Sequence, residues 1–251
     1  MSGFRLGLIN PNTDGGHTSA MAEVIAAILP DGAEVDALAV ARGPRSIESP
    51  VDGTFAAAEV LRTVQAHPDH DGYLIACFTD PGLHAARELT SAPVVGIGDA
   101  AYRAASMVAK RFAVITTLAR GIADLEDAID ATGLTRQCAG ILPTEIPVAE
   151  QGAGFPATTD RIIELGMHAV TELGADALVL ACGGTADVVD TVSRAVGVPA
   201  TNGVAIGALM AYGLWRAGLA TSKRGAYAPP EPIPYDGMPA PSAAGALAPG
   251  S

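Results

Sequence analysis

The chain has 251 residues, 49% of them apolar and only 4% aromatic, and a formal net charge of -12 at pH 7. That is enough apolar material for one large domain or two small ones. The acidic balance excludes a nucleic-acid face, which needs clustered cations against phosphate, and argues against binding an anionic membrane surface. No apolar run is long enough for a bilayer span. The N-terminal MSGFRLGLINPNT has neither the h-region nor the A-x-A site of a signal peptide. Three cysteines in that setting predict reduced thiols and a cytoplasmic protein.

In chain order, apolar runs at 5–10, 33–40, 73–77, 93–97, 112–116, 138–142, 177–182 and 198–201 predict strands. They are rich in Val, Ile and Leu and lack polar alternation, the pattern of parallel strands covered on both faces. Amphipathic segments at 18–28, 53–67, 99–109, 122–132, 159–173 and 204–217 predict helices between them. A further helix start follows each of two cysteines. Asp80 is placed to cap one, with Pro81 as its first residue, and Thr185 to cap the other. Strand–helix alternation predicts an α/β fold. From Ala226 the chain turns proline-rich, and Pro229, Pro230, Pro232 and Pro234 forbid a regular helix.

The chain also repeats itself. Arg5-Leu-Gly-Leu-Ile9 matches Arg111-Phe-Ala-Val-Ile115 at an offset of 106 residues. Tyr73-Leu-Ile-Ala-Cys77 matches Leu178-Val-Leu-Ala-Cys182 at 105, and Pro93 matches Pro199 at 106. Three matches in one order at nearly one offset predict two copies of a single α/β unit. The expected fold is therefore α/β: two pseudo-symmetric flavodoxin-like lobes with mostly parallel sheets and the active site in the cleft between them. Residues 1–98 with 204–230 are expected to form lobe one and 99–203 lobe two. Residues 231–251 form a Pro/Ala/Gly-rich tail, extended or disordered.

A twofold relation between such lobes would carry Cys77 and Cys182 to opposite walls of one cleft, beyond the carboxyl ends of the strands where α/β ligands bind. Free N–H groups and the positive helix end after each cysteine would hold a developing oxyanion and lower the thiol pKa. Two sulfurs facing one carbon acid make a two-base device. One removes a proton, the other returns it to the opposite face, and the centre inverts without a cofactor. Each sulfur then sits roughly 3–3.5 Å from the carbon, so the pair stands about 7 Å apart. A single buried cysteine at a strand end is more often a small hydrophobe; the repeat-equivalence of two favours chemistry. Neither belongs to a C-x-x-C, and Cys138, which has no repeat partner, is expected only to pack.

These residues resemble the aspartate/glutamate/hydantoin racemase superfamily, and within it the hydantoin and allantoin racemase branch. The resemblance rests on Ile9-Asn-Pro-Asn-Thr13, Gly43-Pro-Arg-Ser-Ile-Glu48, Ala76-Cys-Phe-Thr-Asp-Pro-Gly-Leu83, Arg87-Glu88, Pro93-Val-Val-Gly-Ile97, Arg111-Phe-Ala-Val-Ile-Thr116, Leu180-Ala-Cys-Gly-Gly184, Asn202-Gly-Val204 and Thr221-Ser-Lys223. It implies two facing cysteine bases, no metal, no cofactor, a small-molecule substrate and a homo-oligomer. Three positions depart from the branch pattern. Ala-Cys-Gly-Gly-Thr stands at the second cysteine, Asn202 replaces an acid, and Gly98-Asp99 replaces Gly-Glu. Those residues are expected to line or border the pocket and so to bear on the substrate.

Candidate substrate contacts are Asn10, Asn12, Thr13, Phe78, Thr79, Thr116, Gly183, Gly184 and Thr185, with Thr117 a further hydroxyl. Carboxamides suit an imide or ureide ring, although Asn-Pro-Asn-Thr is also good turn chemistry. Few cations lie near these loops, and Asp80 follows Cys77, so a neutral 5-substituted hydantoin or allantoin fits better than a dicarboxylate. An aspartate-type racemase, a maleate isomerase, an arylmalonate decarboxylase or a non-catalytic binding module remain the alternatives. His67, His70 and Asp71 lack the further spacing of a metal site. His84 is expected at the surface or near the cleft, and His168 on a solvent or partner face. Gly96-Ile-Gly98 lacks the third glycine of a dinucleotide fingerprint. Asp124, Glu126, Asp127 and Asp130 read as a solvated helix face.

Overall fold

The computed structural model describes residues 3–231 and 233–236. Among them the first parallel sheet comprises β1 (Arg5–Asn10), β2 (Glu34–Ala39), β3 (Gly72–Ile75) and β4 (Val94–Gly96), in the order β2-β1-β3-β4. The second comprises β5 (Phe112–Thr116), β6 (Cys138–Pro143), β7 (Ala177–Leu180) and β8 (Ala200–Thr201), in the order β6-β5-β7-β8. Every predicted strand forms. Leu8, Leu74, Val114 and Val179 are wholly buried, as strands covered on both faces require.

The sequence repeat becomes a repeat of hydrogen bonds. Leu6 pairs with Gly72 through to Ile9 with Ile75, and Phe112 pairs with Ala177 through to Ile115 with Leu180. At the strand entries the Asp71 carboxylate accepts from the Arg5 N–H, and the Asp176 carboxylate from the Arg111 N–H. At the exits the Ala76 N–H donates to Ile9 and the Ala181 N–H to Ile115. Each cysteine is the next residue after this last bond, where the chain has left the sheet.

Among the described residues eight α-helices connect and cover the sheets: α1 (Gly15–Ala26), α2 (Pro50–Ala66), α3 (Leu83–Leu89), α4 (Ile97–Val108), α5 (Ile122–Thr132), α6 (Pro156–Thr171), α7 (Val189–Val196) and α8 (Val204–Arg216). α1 and α2 begin three residues earlier than their patterns predict. Asp14 caps Gly16 and His17, and Ser49 caps Asp52 with Pro50 in the first turn. α4 packs against β4, α8 and α5 and also against β7 and β8, so it touches both sheets. α8 returns to β3, β4 and α1. One core cluster joins Leu6, Leu74 and Val95 to Phe112, Val114 and Val179 through Ala101, Tyr102 and Ala105 of α4.

Two capping expectations fail. α3 starts at Leu83 behind Gly82, not at Pro81 behind Asp80. Asp80 has φ +47°, and its carboxylate instead accepts from the Gly98 N–H at 3.0 Å and the Asp99 N–H at 2.8 Å. It caps α4, 18 residues away. Gly96 and Gly98 are glycines for this reason. A Cβ on Gly96 would lie 2.2 Å from the Asp80 carboxyl carbon, and one on Gly98 2.2 Å from the Phe78 carbonyl. Thr185 likewise does not cap α7; its hydroxyl donates to the Cys182 carbonyl at 2.7 Å.

The chain is tied down as it enters the proline-rich segment. Thr221 donates to Ser91 and Ala92, Lys223 to the Arg87 carbonyl, and Tyr227 closes a single turn against α3. The expectation for 231–251 falls largely outside the described residues, since of that span only 231 and 233–236 are described.

Candidate active site

Cys77 and Cys182 line one small cavity of about 90 Å³. The same turn follows each sulfur. The Cys77 carbonyl accepts from the Asp80 N–H at 3.0 Å, and the Cys182 carbonyl from the Thr185 N–H at 3.1 Å. The turn after Cys182 packs on α1, which belongs to the first half of the chain. A Cβ on Gly183 would lie 2.8 Å from Met21 Sδ, and one on Gly184 3.3 Å from His17 Nε2. Glycine at both positions lets the second cysteine loop reach across and complete the cavity.

Of the other expected contacts, Asn10, Asn12, Phe78, Thr79, Thr116, Gly183 and Gly184 line the cavity, as does Thr117. Thr13 and Thr185 do not. Thr13 is tied to the Pro44 carbonyl, and Thr185 is 2% exposed beneath Cys182. Turn chemistry claims Asn10. Its amide donates to the Asp14 carbonyl and to Thr18, and its oxygen accepts from the Asn12 N–H. Asn12 accepts from the Asp14 N–H, and its own amide nitrogen has no partner among the described residues. It is the carboxamide free to meet a ligand.

The departures from the branch pattern lie only partly at this cavity. Gly183 and Gly184 line it, but Asn202 and Asp99 do not. Asn202 instead closes a turn onto the Val204 N–H.

Sequence reading missed several lining residues. His17 and Met21 come from α1, and Ile47, Glu48 and Ser49 from the loop before α2. Asp124 corrects an expectation: it lines the cavity, whereas Glu126, Asp127 and Asp130 are exposed. Glu48 was legible as part of a quoted motif. His17 and Asp124 lay inside ordinary helix patterns that carried no such signal. Glu48 also links two lining segments, its carboxylate accepting from the Ser46 hydroxyl at 3.0 Å and from the Val148 N–H at 3.4 Å.

The thiols are not poised as ready thiolates, contrary to expectation. Burial pushes the Cys77 thiol up. The Thr79 hydroxyl, 3.5 Å from the sulfur, and nearby N–H groups oppose this, while the Asp80 charge adds to it. Burial pushes Cys182 up to about 12, against the Gly184 N–H and with the charges of Cys77 and Glu48. Desolvation of the anion outweighs the helix-end field at both sulfurs.

No Lys or Arg lines the cavity, while Glu48 and Asp124 do. Of the histidines, His70 is buried with its ring nitrogens against Asp36 and the His67 carbonyl, which explains the His67–Asp71 cluster without a metal. His84 is exposed and bonded to Tyr227, and His168 is exposed. Among the described residues no helix is long and apolar enough to cross a membrane.

Two like parallel α/β units that each send one thiol into a shared cavity define a two-lobed α/β enzyme of the racemase type. The chain belongs to the Asp/Glu/hydantoin racemase family, whose model matches residues 6–211; it is an isomerase. It is 34% identical over 236 residues to a hydantoin racemase of Pseudomonas sp. strain NS671, covering 93% of this chain and 95% of that one. It is 36% identical over 226 residues to a hydantoin racemase of Rhizobium meliloti, covering 89% and 93%. The solved allantoin racemase from Klebsiella pneumoniae superposes with a TM-score of 0.89 at 36% identity, covering 94% of this chain and 97% of that one.

Proposed function

We propose that this chain racemises a hydantoin-like ring, a 5-substituted hydantoin or allantoin, with Cys77 and Cys182 as the two bases and no cofactor. The observation that carries the reading is the pair of repeat-equivalent sulfurs lining one cavity that holds two carboxylates and no Lys or Arg. A dicarboxylate there would meet Glu48 and Asp124 without a countercharge. A neutral ring with imide N–H groups and carbonyls matches the cavity's mixture of acceptors and donors. The names of the hydantoin and allantoin racemase relatives support the same substrate class.

The lobes in this reading are residues 1–98 with 204–230 and residues 99–203, each contributing one sulfur. One thiolate takes the ring C–H proton while the opposite thiol delivers its own to the other face. The bases exchange protonation states with each turnover, so the reverse direction uses the same pair. A desolvated thiolate is a stronger base than an exposed one, which suits a carbon acid. The enolate oxygen then needs donors. The Gly184 N–H, the N–H groups after Cys77 and the free Asn12 amide are the candidates, and a well-placed donor lowers such a barrier by about 3–4 kcal/mol. A cytoplasmic homo-oligomer is part of the same proposal.

The test is incubation of the protein in D2O with each enantiomer of 5-benzylhydantoin and of allantoin, and with aspartate and maleate, followed by polarimetry and NMR. Deuterium should enter the hydantoin or allantoin carbon with loss of rotation, and neither acid should react. Cys77→Ser and Cys182→Ser should each abolish inversion. A single variant that still inverts the centre at a near wild-type rate rules the two-base reading out.

A further inference from the structure

A second cavity, about 270 Å³, lies behind the Cys77 turn, between α3, α4 and α5. It is separate from the paired-thiol cavity, yet Thr79 lines both. Three features of its wall are unexplained by the fold or by the proposed reaction.

The first is Arg87. Its guanidinium donates to the Val94 carbonyl and the Tyr227 hydroxyl and lies 5.8 Å from the Tyr227 ring centre, but it meets no carboxylate among the described residues. A half-buried cation is thus hydrogen-bonded only to neutral groups, and its charge acts on the Asp80 carboxylate in the same wall. The second is Arg103, whose Nε donates to Asp99 at 2.8 Å. Both of its terminal nitrogens are left over, on a side chain that is 52% exposed. The third is Tyr102. It is 1% exposed, and its hydroxyl has no hydrogen-bond partner. A buried hydroxyl without a partner is uncommon, because losing its water costs about 1–3 kcal/mol.

We propose that this cavity binds a small organic monocarboxylate. Arg87 and Arg103 supply the countercharge, and Tyr102 donates its free hydroxyl to a carboxylate oxygen. Guanidinium forks match carboxylate geometry. Leu83 and Ala131 give the organic part an apolar surface. Asp80 and Asp99 share the wall and set the limit on charge: they tolerate a monoanion between two arginines but repel a dianion such as phosphate. A bound carboxylate would also touch Thr79, whose hydroxyl faces Cys77, so occupancy is coupled to the paired-thiol cavity through one residue.

The test is calorimetric titration of the full-length protein with N-acetylglycine, with its neutral amide N-acetylglycinamide, and with inorganic phosphate. The carboxylate should bind, and the amide and phosphate should bind at least tenfold more weakly. Tyr102→Phe removes only the unpartnered hydroxyl, so its thermal stability should match or exceed that of the wild type while its Kd for N-acetylglycine rises about tenfold. Arg103→Gln should weaken binding similarly. No binding by the wild type at millimolar concentration, or equal affinity in both variants, overturns the proposal; equal affinity would put the ligand in the thiol cavity instead. The readout is binding and not turnover, so it stands or falls independently of the substrate assigned above.

Discussion

The state of the Cys182 thiol gives the sharpest test of how the site is built. A Cys77→Ala/Cys138→Ala double variant leaves Cys182 as the sole thiol of the three in the chain. It removes the small charge effect of Cys77 but leaves burial, the leading cause of the upward shift to about 12. With a midpoint near 12, the thiolate fraction at pH 8 is about 10⁻⁴, against roughly a quarter for a thiol at the reference value of about 8.5, a difference of about two thousandfold. Ultraviolet thiolate absorbance over a pH titration reads this midpoint directly, and the iodoacetamide rate checks it independently. Linkage adds a second readout. The folded pKa lies above the unfolded value, so the native state holds this proton more tightly. The resulting stability is fully present below about pH 8.5 and is lost as pH rises toward 12. The sole-thiol variant should therefore lose stability above about pH 8.5, and adding Cys182→Ala should flatten that decline. A titration midpoint at or below about 8.5 would refute the reasoning, because the loop N–H groups would then outweigh burial.

Asp80→Ala should cost about 2–4 kcal/mol, combining a lost helix cap with an exposed pair of α4 N–H groups; calorimetry showing less than about 0.5 kcal/mol would deny Asp80 its capping role. Gly98→Ala places a Cβ 2.2 Å from the Phe78 carbonyl, so it should displace the turn after Cys77 and lower kcat/KM at least about tenfold in a protein that still folds by circular dichroism. Thr79→Val removes the hydroxyl that opposes the upward shift of Cys77, so the limb of the rate profile set by Cys77 should move to higher pH.

Most of the strand framework was legible because β3, β5 and β7 are short apolar runs without polar alternation, the pattern of doubly covered parallel strands. The repeat was legible because both halves must solve the same problem: an Asp to receive the strand's first N–H, four ladder pairs, then a cysteine past the last bond. Helix starts were read less well. Asp14 and Ser49 each precede the first buried apolar residue of their helix, Met21 and Ala56, by seven positions, so the apolar period alone begins too late. Asp80 was misassigned because local sequence presents it as the cap of the nearest helix, whereas its carboxylate reaches α4. The pair Gly96 and Gly98, weak as a nucleotide fingerprint, acquires its meaning only beside that carboxylate.

Taken alone, the sequence determined the α/β class, the duplicated unit and the two sulfurs at equivalent strand ends, because these depend on local pattern and on the order of like segments. Tertiary structure decided which residues surround those sulfurs. His17, Glu48 and Asp124 come from α1, the loop before α2 and α5, far apart in sequence, and line one cavity only in the folded chain. It also decided the protonation of the thiols. A helix end can be recognised in a string of letters, but the loss of water that outweighs its field depends on what the rest of the chain packs around it.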